Sequence, residues 1–151
     1  MDCLADTNVL LRSIQQTHPM HPTALTALTT LLASGDRVCI TPQNIIEFWN
    51  VCTRPVDRNG LGLSPVEADL EASRLEGILT LLPDIPAIYP EWRRLVVAHS
   101  VSGVRVHDAR IVAAMNVYGI SCLLTLNGPD FTRYPEIRAV HPSDVAKPGN
   151  P

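Results

Sequence analysis

The chain has 151 residues and a formal net charge of -3 at neutral pH, with 46% hydrophobic and 5% aromatic residues. This length is typical of one domain, and the hydrophobic content is enough to bury an aliphatic core without apolar surface from a partner. The negative charge argues against a protein held on nucleic acid by bulk electrostatics, so any nucleic-acid chemistry requires a local site.

Short apolar runs alternate with helical patterns from one end of the chain to the other. Thr41-Pro42 is typical of an N-cap followed by proline, and Ser64-Pro65-Val66-Glu67 has the pattern of a capping box. In chain order we predict a strand at 3–5, helices at 7–14 and 22–33, a strand at 37–40, helices at 42–53 and 64–82, a brief extended piece at 87–89, helices at 91–100 and 108–118, and strands at 121–124 and 137–140.

Strands that alternate with helices favour an α/β fold, in which helices cover both faces of a central parallel sheet. The strands are short and apolar, as expected for strands buried on both faces. The chain has no repeat, low-complexity block or internal linker. We therefore predict one domain over residues 1–145, followed by a frayed tail at 146–151.

The four cysteines, Cys3, Cys39, Cys52 and Cys122, form no C-x-x-C pair. They are expected to be small buried residues in a reducing compartment, and a zinc site is not expected. Acids interrupt the first ten residues, so no signal peptide is predicted, and no apolar run approaches the length that spans a membrane. A cytoplasmic protein with no membrane association is the expectation.

Two acids follow predicted strands. Asp6 comes directly after the first strand, and Asp130 lies in the loop after the strand at 121–124. Each has an ordinary structural alternative, since Asp6 can cap the following helix and Asp130 lies among turn-forming residues. Because the carboxyl ends of parallel strands gather at one edge of a sheet, both acids are expected there.

Two further acids lie on helices. Glu47 lies beside the apolar stripe of its helix, where a solvated glutamate in loose contact with Arg54 is the ordinary alternative. Asp108 is in register with the inward stripe of its helix, and it can equally be an N-cap stabilised by the helix dipole. Several carboxylates in one crevice repel unless a cation intervenes, and Mg²⁺ binds through a few carboxylates, waters and substrate phosphates.

At this point the sequence resembles the PIN domain family, and in particular its VapC-like toxin ribonucleases. The resemblance covers nearly the whole chain, and four short motifs in the family's order are more specific together than singly. These motifs are Asp6-Thr7-Asn8-Val9-Leu10-Leu11, Ile45-Ile46-Glu47-Phe48-Trp49-Asn50-Val51, Val106-His107-Asp108-Ala109-Arg110-Ile111-Val112-Ala113-Ala114 and Leu124-Thr125-Leu126-Asn127-Gly128-Pro129-Asp130-Phe131.

The resemblance implies a three-layer α/β/α sandwich and cleavage of RNA phosphodiester bonds with Mg²⁺ or Mn²⁺. It implies that the catalytic and metal-binding residues are Asp6, Glu47, Asp108 and Asp130. Asp6 and Asp108 are expected to be the primary ligands, and Glu47 is favoured as the base. Thr7 and Asn127 match positions that line or brace the family's site.

The resemblance also implies two protein partners, a cognate antitoxin and a second copy of the chain in a homodimer. Arg54 and Arg133 are weak candidates for contact with RNA phosphate, against the equal alternative of solvated arginine.

Two other functions compete with the endoribonuclease toxin. A non-catalytic PIN-like module that binds RNA or protein is one, although such modules typically lose acids that this chain keeps. The other is a phosphatase of the haloacid dehalogenase type, which needs a second Asp where this chain has Asn8.

Overall fold

A five-stranded parallel sheet forms the centre of the computed structural model, which describes residues 1–145. The strands are β1 (Cys3–Ala5), β2 (Val38–Ile40), β3 (Thr80–Leu81), β4 (Cys122–Leu124) and β5 (Arg138–Val140). Their order across the sheet is β3-β2-β1-β4-β5, and every neighbouring pair is parallel. The predicted parallel α/β fold is confirmed.

The helices are α1 (Thr7–Ile14), α2 (His21–Ala33), α3 (Pro42–Thr53), α4 (Pro65–Ile78), α5 (Ile88–Ala98), α6 (Val106–Tyr118) and α7 (Pro142–Val145). The predicted caps start two of them. Thr41 and Ser64 each form a complete capping box, with Asn44 and Glu67 as the reciprocal partners. Gly119 ends α6 in the left-handed conformation, with φ of 71°.

The alternation of side chains along each strand divides the core into two layers. Cys3 and Ala5 of β1 face the layer formed by α1 to α4, whereas Leu4 faces the layer that contains α5 and α6. The sheet therefore lies between two helical layers, which is the expected three-layer sandwich. None of the helices in residues 1–145 is long and apolar enough to cross a membrane.

The predictions were wrong at several boundaries. α4 ends at Ile78 instead of residue 82, and Thr80–Leu81 is an unpredicted edge strand. The extended piece predicted at 87–89 is instead the start of α5, because Pro90 is in the first turn, where proline is tolerated. α6 begins at Val106, two residues early, and α7 was not predicted. The tail predicted at 146–151 lies outside the described residues.

The prediction of four reduced thiols was wrong for one pair. Cys3 and Cys122 are register partners on β1 and β4, and they form a disulfide. Nothing in the spacing of two cysteines that are 119 residues apart indicates this pairing. Cys39 and Cys52 are buried and free, as predicted.

Candidate active site

The direction in which the chain crosses the sheet changes between β1 and β4. The chain moves from β1 outwards through β2 to β3, and then returns to build β4 and β5 on the other side of β1. A crevice opens at the carboxyl ends of strands at such a point, and it is the usual ligand site of an open parallel sheet. Asp6 and Thr125 are the residues that directly follow β1 and β4 there.

Asp6 lies at the centre of this crevice, and its carboxylate is held by three hydrogen bonds. Oδ1 accepts from the backbone N–H of Thr7 at 2.8 Å, so Asp6 is also the N-cap of α1. Oδ2 accepts from the Thr125 hydroxyl at 2.7 Å and from Asn8 Nδ2 at 3.3 Å. Asp6 therefore both caps α1 and belongs to the candidate site.

Glu47 reaches the same crevice from α3. Its Oε2 accepts a hydrogen bond of 2.9 Å from the Thr7 hydroxyl, and its Oε1 accepts one of 2.9 Å from Gln43 Nε2. Asn44 Nδ2 donates to the Thr7 hydroxyl at 3.3 Å, so the Thr7 side chain is fixed from two sides. Glu47 is thus held by polar contacts within the site and not by Arg54, which was the ordinary alternative.

Asp108 and Asp130 meet at one guanidinium group. Arg105 Nη1 lies 2.8 Å from Asp130 Oδ2 and 3.4 Å from Asp108 Oδ2. Asp108 is in the first turn of α6, and Asp130 lies in a 3₁₀ turn, Gly128–Phe131, that follows β4. Asp130 therefore approaches the crevice beside Asp108, whereas Thr125 occupies the position directly opposite Asp6.

The surroundings of Asp6 and Asp108 disfavour the ionised forms of these two carboxyl groups. Burial raises the pKa of Asp6 to about 6, and the negative charges of Asp108 and Glu47 add to this shift against the hydrogen bonds from Thr125 and Thr7. Burial is also the main cause of a raised pKa at Asp108, where Arg105 acts in the opposite direction. These couplings indicate that the acids form one electrostatic cluster.

The donor set suits a hard divalent cation in its chemistry. The side chains are carboxylates and the nearby neutral groups are hydroxyls and amides, which are the oxygen ligands that Mg²⁺ and Mn²⁺ accept. Among residues 1–145, however, no three His, Cys, Asp or Glu side chains lie close enough to hold a metal ion. Arg105 instead provides positive charge between two of the acids. Cation binding therefore requires side-chain adjustment, above all at Arg105.

The PIN domain model matches residues 3–137 of this sequence. The chain belongs to the PIN domain family. No curated protein matches the sequence. The haloacid dehalogenase alternative loses its support, because the PIN match spans all four acids and the Asn8 side chain is engaged in bracing Asp6.

Solved structures show the same fold. VapBC2 from Rickettsia felis, bound to a DNA fragment from its promoter, has a TM-score of 0.69 at 14% identity, over 93% of this chain and 98% of that chain. VapBC-1 from nontypeable Haemophilus influenzae has a TM-score of 0.66 at 14% identity, over 95% and 99%. VapC20 from Mycobacterium tuberculosis, described as a toxin that cleaves the sarcin-ricin loop, has a TM-score of 0.62 at 19% identity, over 85% and 92%. The PIN domain described here is thus VapC-like in fold.

The other predicted site residues of this PIN domain lie in different places. Asn127 contacts the site through its backbone, whose N–H donates to the Thr125 hydroxyl at 3.0 Å, while its side chain is exposed. Arg54 follows the last turn of α3, about 10 Å along the helix axis from Glu47. Arg133 is exposed and lies near Tyr134, whose pKa is raised by burial and, to a smaller extent, lowered by the charge of Arg133 and raised by that of Asp108.

Several groups that build the PIN site were missed. Thr125 follows β4 as Asp6 follows β1, and the paired register of Ala5 with Leu124 was the signal that could have identified it. Asn8 braces the loop after β4, since its Oδ1 accepts from the Leu126 backbone N–H at 3.2 Å. Gln43 is one helical turn before Glu47, a spacing that places two side chains on one face. Arg105 was not predicted as a site residue, and it contacts both Asp108 and Asp130.

Proposed function

We propose that this PIN domain is an endoribonuclease that depends on Mg²⁺ or Mn²⁺ and acts as the toxin of a type II toxin–antitoxin pair. One observation supports the proposal: Thr7 holds both Asp6 and Glu47, Arg105 contacts both Asp108 and Asp130, and the charge of Asp108 acts on the pKa of Asp6. Family membership and the VapC-like fold support the same function.

In this proposal, Asp6 and Asp108 would hold the cation, and Glu47 and Asp130 would complete the cluster. A bound Mg²⁺ or Mn²⁺ would make hydroxide available near neutral pH and would offset charge on the phosphate. Glu47 accepts the proton of the attacking water, because its carboxylate is oriented by Thr7 and Gln43 and is half-buried. The water oxygen forms a bond to phosphorus as the bond between phosphorus and the leaving ribose oxygen breaks, and solvent water protonates that oxygen.

Arg105 has two roles in this proposal. Before RNA binds, its guanidinium offsets the charges of Asp108 and Asp130. The same guanidinium is half-exposed, and it would contact a phosphate of the RNA, a group that arginine binds in bidentate geometry. This makes Arg105 a better candidate for RNA contact than Arg54, which lies at the far end of α3.

The proposed partners are an RNA, a cognate antitoxin and a second copy of the chain, with action in the cytoplasm, where RNA is found. Solved neighbours support the antitoxin, since they are VapBC complexes. Apolar side chains on the outer face of α4 support a protein interface, because Val66, Leu70 and Ile78 are each more than half exposed. Light scattering of the purified chain, alone and with the product of a neighbouring small gene, tests both partners.

The enzymatic proposal is tested with purified protein, Mg²⁺ or Mn²⁺, and end-labelled structured RNA. Cleavage is expected with either cation and is expected to disappear in EDTA. Asp6→Ala and Asp108→Ala are expected to lose cleavage while keeping the circular dichroism spectrum of the wild type. Equal cleavage by the wild type and these variants would show that a contaminating nuclease is responsible.

A non-catalytic PIN-like module is the second candidate. The observation in its favour is that no three ligand-type side chains in residues 1–145 lie within reach of one metal ion. Calorimetric titration with Mn²⁺ separates the two candidates. Absence of Mn²⁺ binding favours the module, whereas binding that is lost in Asp108→Ala favours the nuclease.

A further inference from the structure

An apolar pocket of about 400 Å³ lies beside the acid cluster, where the first turns of α5 and α6 approach each other. The nuclease mechanism proposed above makes no use of it. Its lining combines aliphatic and aromatic side chains with a histidine and an arginine. The residues that define it are Ile85, Ile88, Tyr89, Trp92, His107 and Arg110.

One buried side chain connects this pocket to the cluster. Gln43 Nε2 donates to Glu47 Oε1 at 2.9 Å and to the His107 backbone carbonyl at 2.8 Å. His107 also directly precedes Asp108 in the chain. The pocket is therefore connected to Glu47 through Gln43 and to Asp108 through one peptide bond. A nucleotide next to a bond cleaved at the cluster is within reach of the pocket.

Aromatic rings form one side of the pocket. The rings of Tyr89 and Trp92 are stacked, with centroids 6.0 Å apart and planes inclined by 24°. Trp92 is fixed because its Nε1 donates to the Val106 carbonyl at 2.8 Å, whereas Tyr89 is 62% exposed. An exposed ring backed by an immobilised ring offers a flat face for another ring, and base stacking on such faces is common in proteins that bind single-stranded RNA.

Positive charge accompanies the aromatic surface. The Arg110 guanidinium is held by Gln43 Oε1 at 3.2 Å and by Asp84 Oδ1 at 3.1 Å. Since a guanidinium has five N–H donors, these two contacts leave donors for the polar edge of a ligand. The Arg93 guanidinium lies over the Tyr89 ring, with its central carbon 5.9 Å from the ring centre. Apolar side chains, an aromatic face and fixed hydrogen-bond donors together suit a nucleobase. The neighbouring arginines suit the phosphates of the RNA backbone.

We propose that this pocket binds one unstacked base of the RNA, next to the phosphate that is cleaved at the acid cluster. The base stacks on Tyr89, and its polar edge accepts hydrogen bonds from Arg110. The inference rests on the proposed nuclease function, and it adds a source of sequence preference. This base contact is separate from the metal-dependent chemistry, so it can be measured without cleavage.

The test compares two kinds of labelled single-stranded RNA probe in EDTA, where cleavage is not supported. One is a fluorescein-labelled hexanucleotide of adenosine, cytidine or uridine, and the other is an abasic hexamer of the same length. Fluorescence anisotropy is expected to give tighter binding of at least one base-bearing probe than of the abasic probe, by roughly tenfold. Equal affinity for all probes, or no measurable affinity for any, overturns the proposal.

Matched variants assign this difference to the pocket. Tyr89→Leu is expected to remove most of the preference for the base-bearing probe, whereas Tyr89→Phe keeps the ring and the preference. Val97→Ala is the control on the same helix, because Val97 is 79% exposed and does not line the pocket. If Tyr89→Leu binds both probes as the wild type does, the pocket does not hold a base. A pocket that is instead filled by a protein partner gives this same negative result.

Failure of this inference can be distinguished from failure of the nuclease proposal. Base-dependent binding by a protein that cleaves no RNA with Mg²⁺ or Mn²⁺ contradicts the nuclease and leaves the pocket in place. Cleavage that Asp108→Ala abolishes, but that is equally fast for Tyr89→Leu and wild type on every RNA tested, contradicts the pocket alone.

Discussion

The Thr7 hydroxyl donates a hydrogen bond of 2.9 Å to Glu47, although the two residues are 40 positions apart and belong to different helices. The same hydroxyl accepts from Asn44, and the Thr7 backbone N–H donates to Asp6. One residue therefore aligns acids from α3 and from the end of β1, Glu47 through its hydroxyl and Asp6 through its backbone N–H. Its hydroxyl is expected to control the activity of the site and to contribute little to the packing of the core.

Replacement of Thr7 by valine tests this alignment. Thr7→Val keeps the volume and loses the donor to a charged acceptor, a contact worth about 1.5–3 kcal/mol. We expect RNA cleavage to fall by roughly ten- to a hundredfold, with a near-native circular dichroism spectrum. Thr7→Ser restores the hydroxyl and is expected to stay within a few-fold of wild type. A Thr7→Val enzyme of full activity would contradict the positioning role.

The raised pKa of Asp6 predicts a pH-dependent cost to folding. Because its folded pKa, about 6, is above its ordinary value of 3.8, the folded protein binds this proton more tightly than the unfolded chain. The contribution of Asp6 to stability is therefore least favourable above about pH 6, and the cost is relieved as the pH falls towards 4. Asp6→Asn keeps an N-cap residue and removes the charge, so we expect about 1–2 kcal/mol of added stability at pH 7.5.

Urea denaturation of wild type and Asp6→Asn at pH 7.5 and pH 4.5 measures this effect. The difference in unfolding free energy between the two proteins is expected to shrink at the lower pH, where Asp6 is increasingly protonated. A difference that stays constant would mean that the variant acts through packing or hydrogen bonding alone. Cleavage by Asp6→Asn is expected to be lost at both values, as a control on the assigned role.

In the proposed nuclease, Arg105 would compete with a cation for Asp108 and Asp130. Its guanidinium contacts both carboxylates, and all three side chains are partly exposed. Arg105→Ala removes the competing charge, so Mn²⁺ is expected to bind roughly three- to tenfold more tightly in calorimetric titrations. Arg105→Lys, which retains a cation, is expected to show a smaller change. Arg74→Ala is the matched control, since Arg74 forms an exposed pair with Glu71 on α4.

The N-caps Thr41 and Ser64 can be compared, because only Thr41 is connected to the candidate site. Thr41 and Ser64 cap α3 and α4 in the same way, but the Thr41 hydroxyl also donates to Asn44 Oδ1 at 2.9 Å. Replacement of either by alanine is expected to cost about 1 kcal/mol in thermal or urea unfolding. We expect only Thr41→Ala to lower RNA cleavage as well, since Asn44 holds Thr7. Equal activity of the two variants would argue against this relay.

Local patterns identified most of the architecture. A serine or threonine followed by proline starts both α3 and α4. The hydroxyl caps the helix and the proline ring fixes φ at a helical value, so these two boundaries were predicted well. Three short apolar runs specified the buried strands β1, β2 and β4. The edge strand Thr80–Leu81 was missed, because two residues carry no periodicity and their strand character comes from pairing with β2.

The acids of the site were predicted from the sequence, but the polar side chains that contact them were not. Asp6 and Glu47 stand out because charge is unusual beside buried apolar segments. Thr125, Gln43 and Arg105 are of types that are ordinary on a surface, and only tertiary contacts place them against the acids. The Cys3–Cys122 disulfide belongs to the same class, since strand neighbours that are distant in sequence leave no local signal.

The position of β1 in the sheet determines how late in its own synthesis the chain can fold. β1 is made first and lies in the middle of the sheet, yet β4, its partner on one side, is translated 119 residues later. Asp130 follows β4 and is the last of the four acids to be made. A nascent chain therefore cannot assemble the cluster until nearly all of the domain has left the ribosome. The proposed nuclease would therefore be inactive toward the ribosome and messenger that produce it until translation is almost complete.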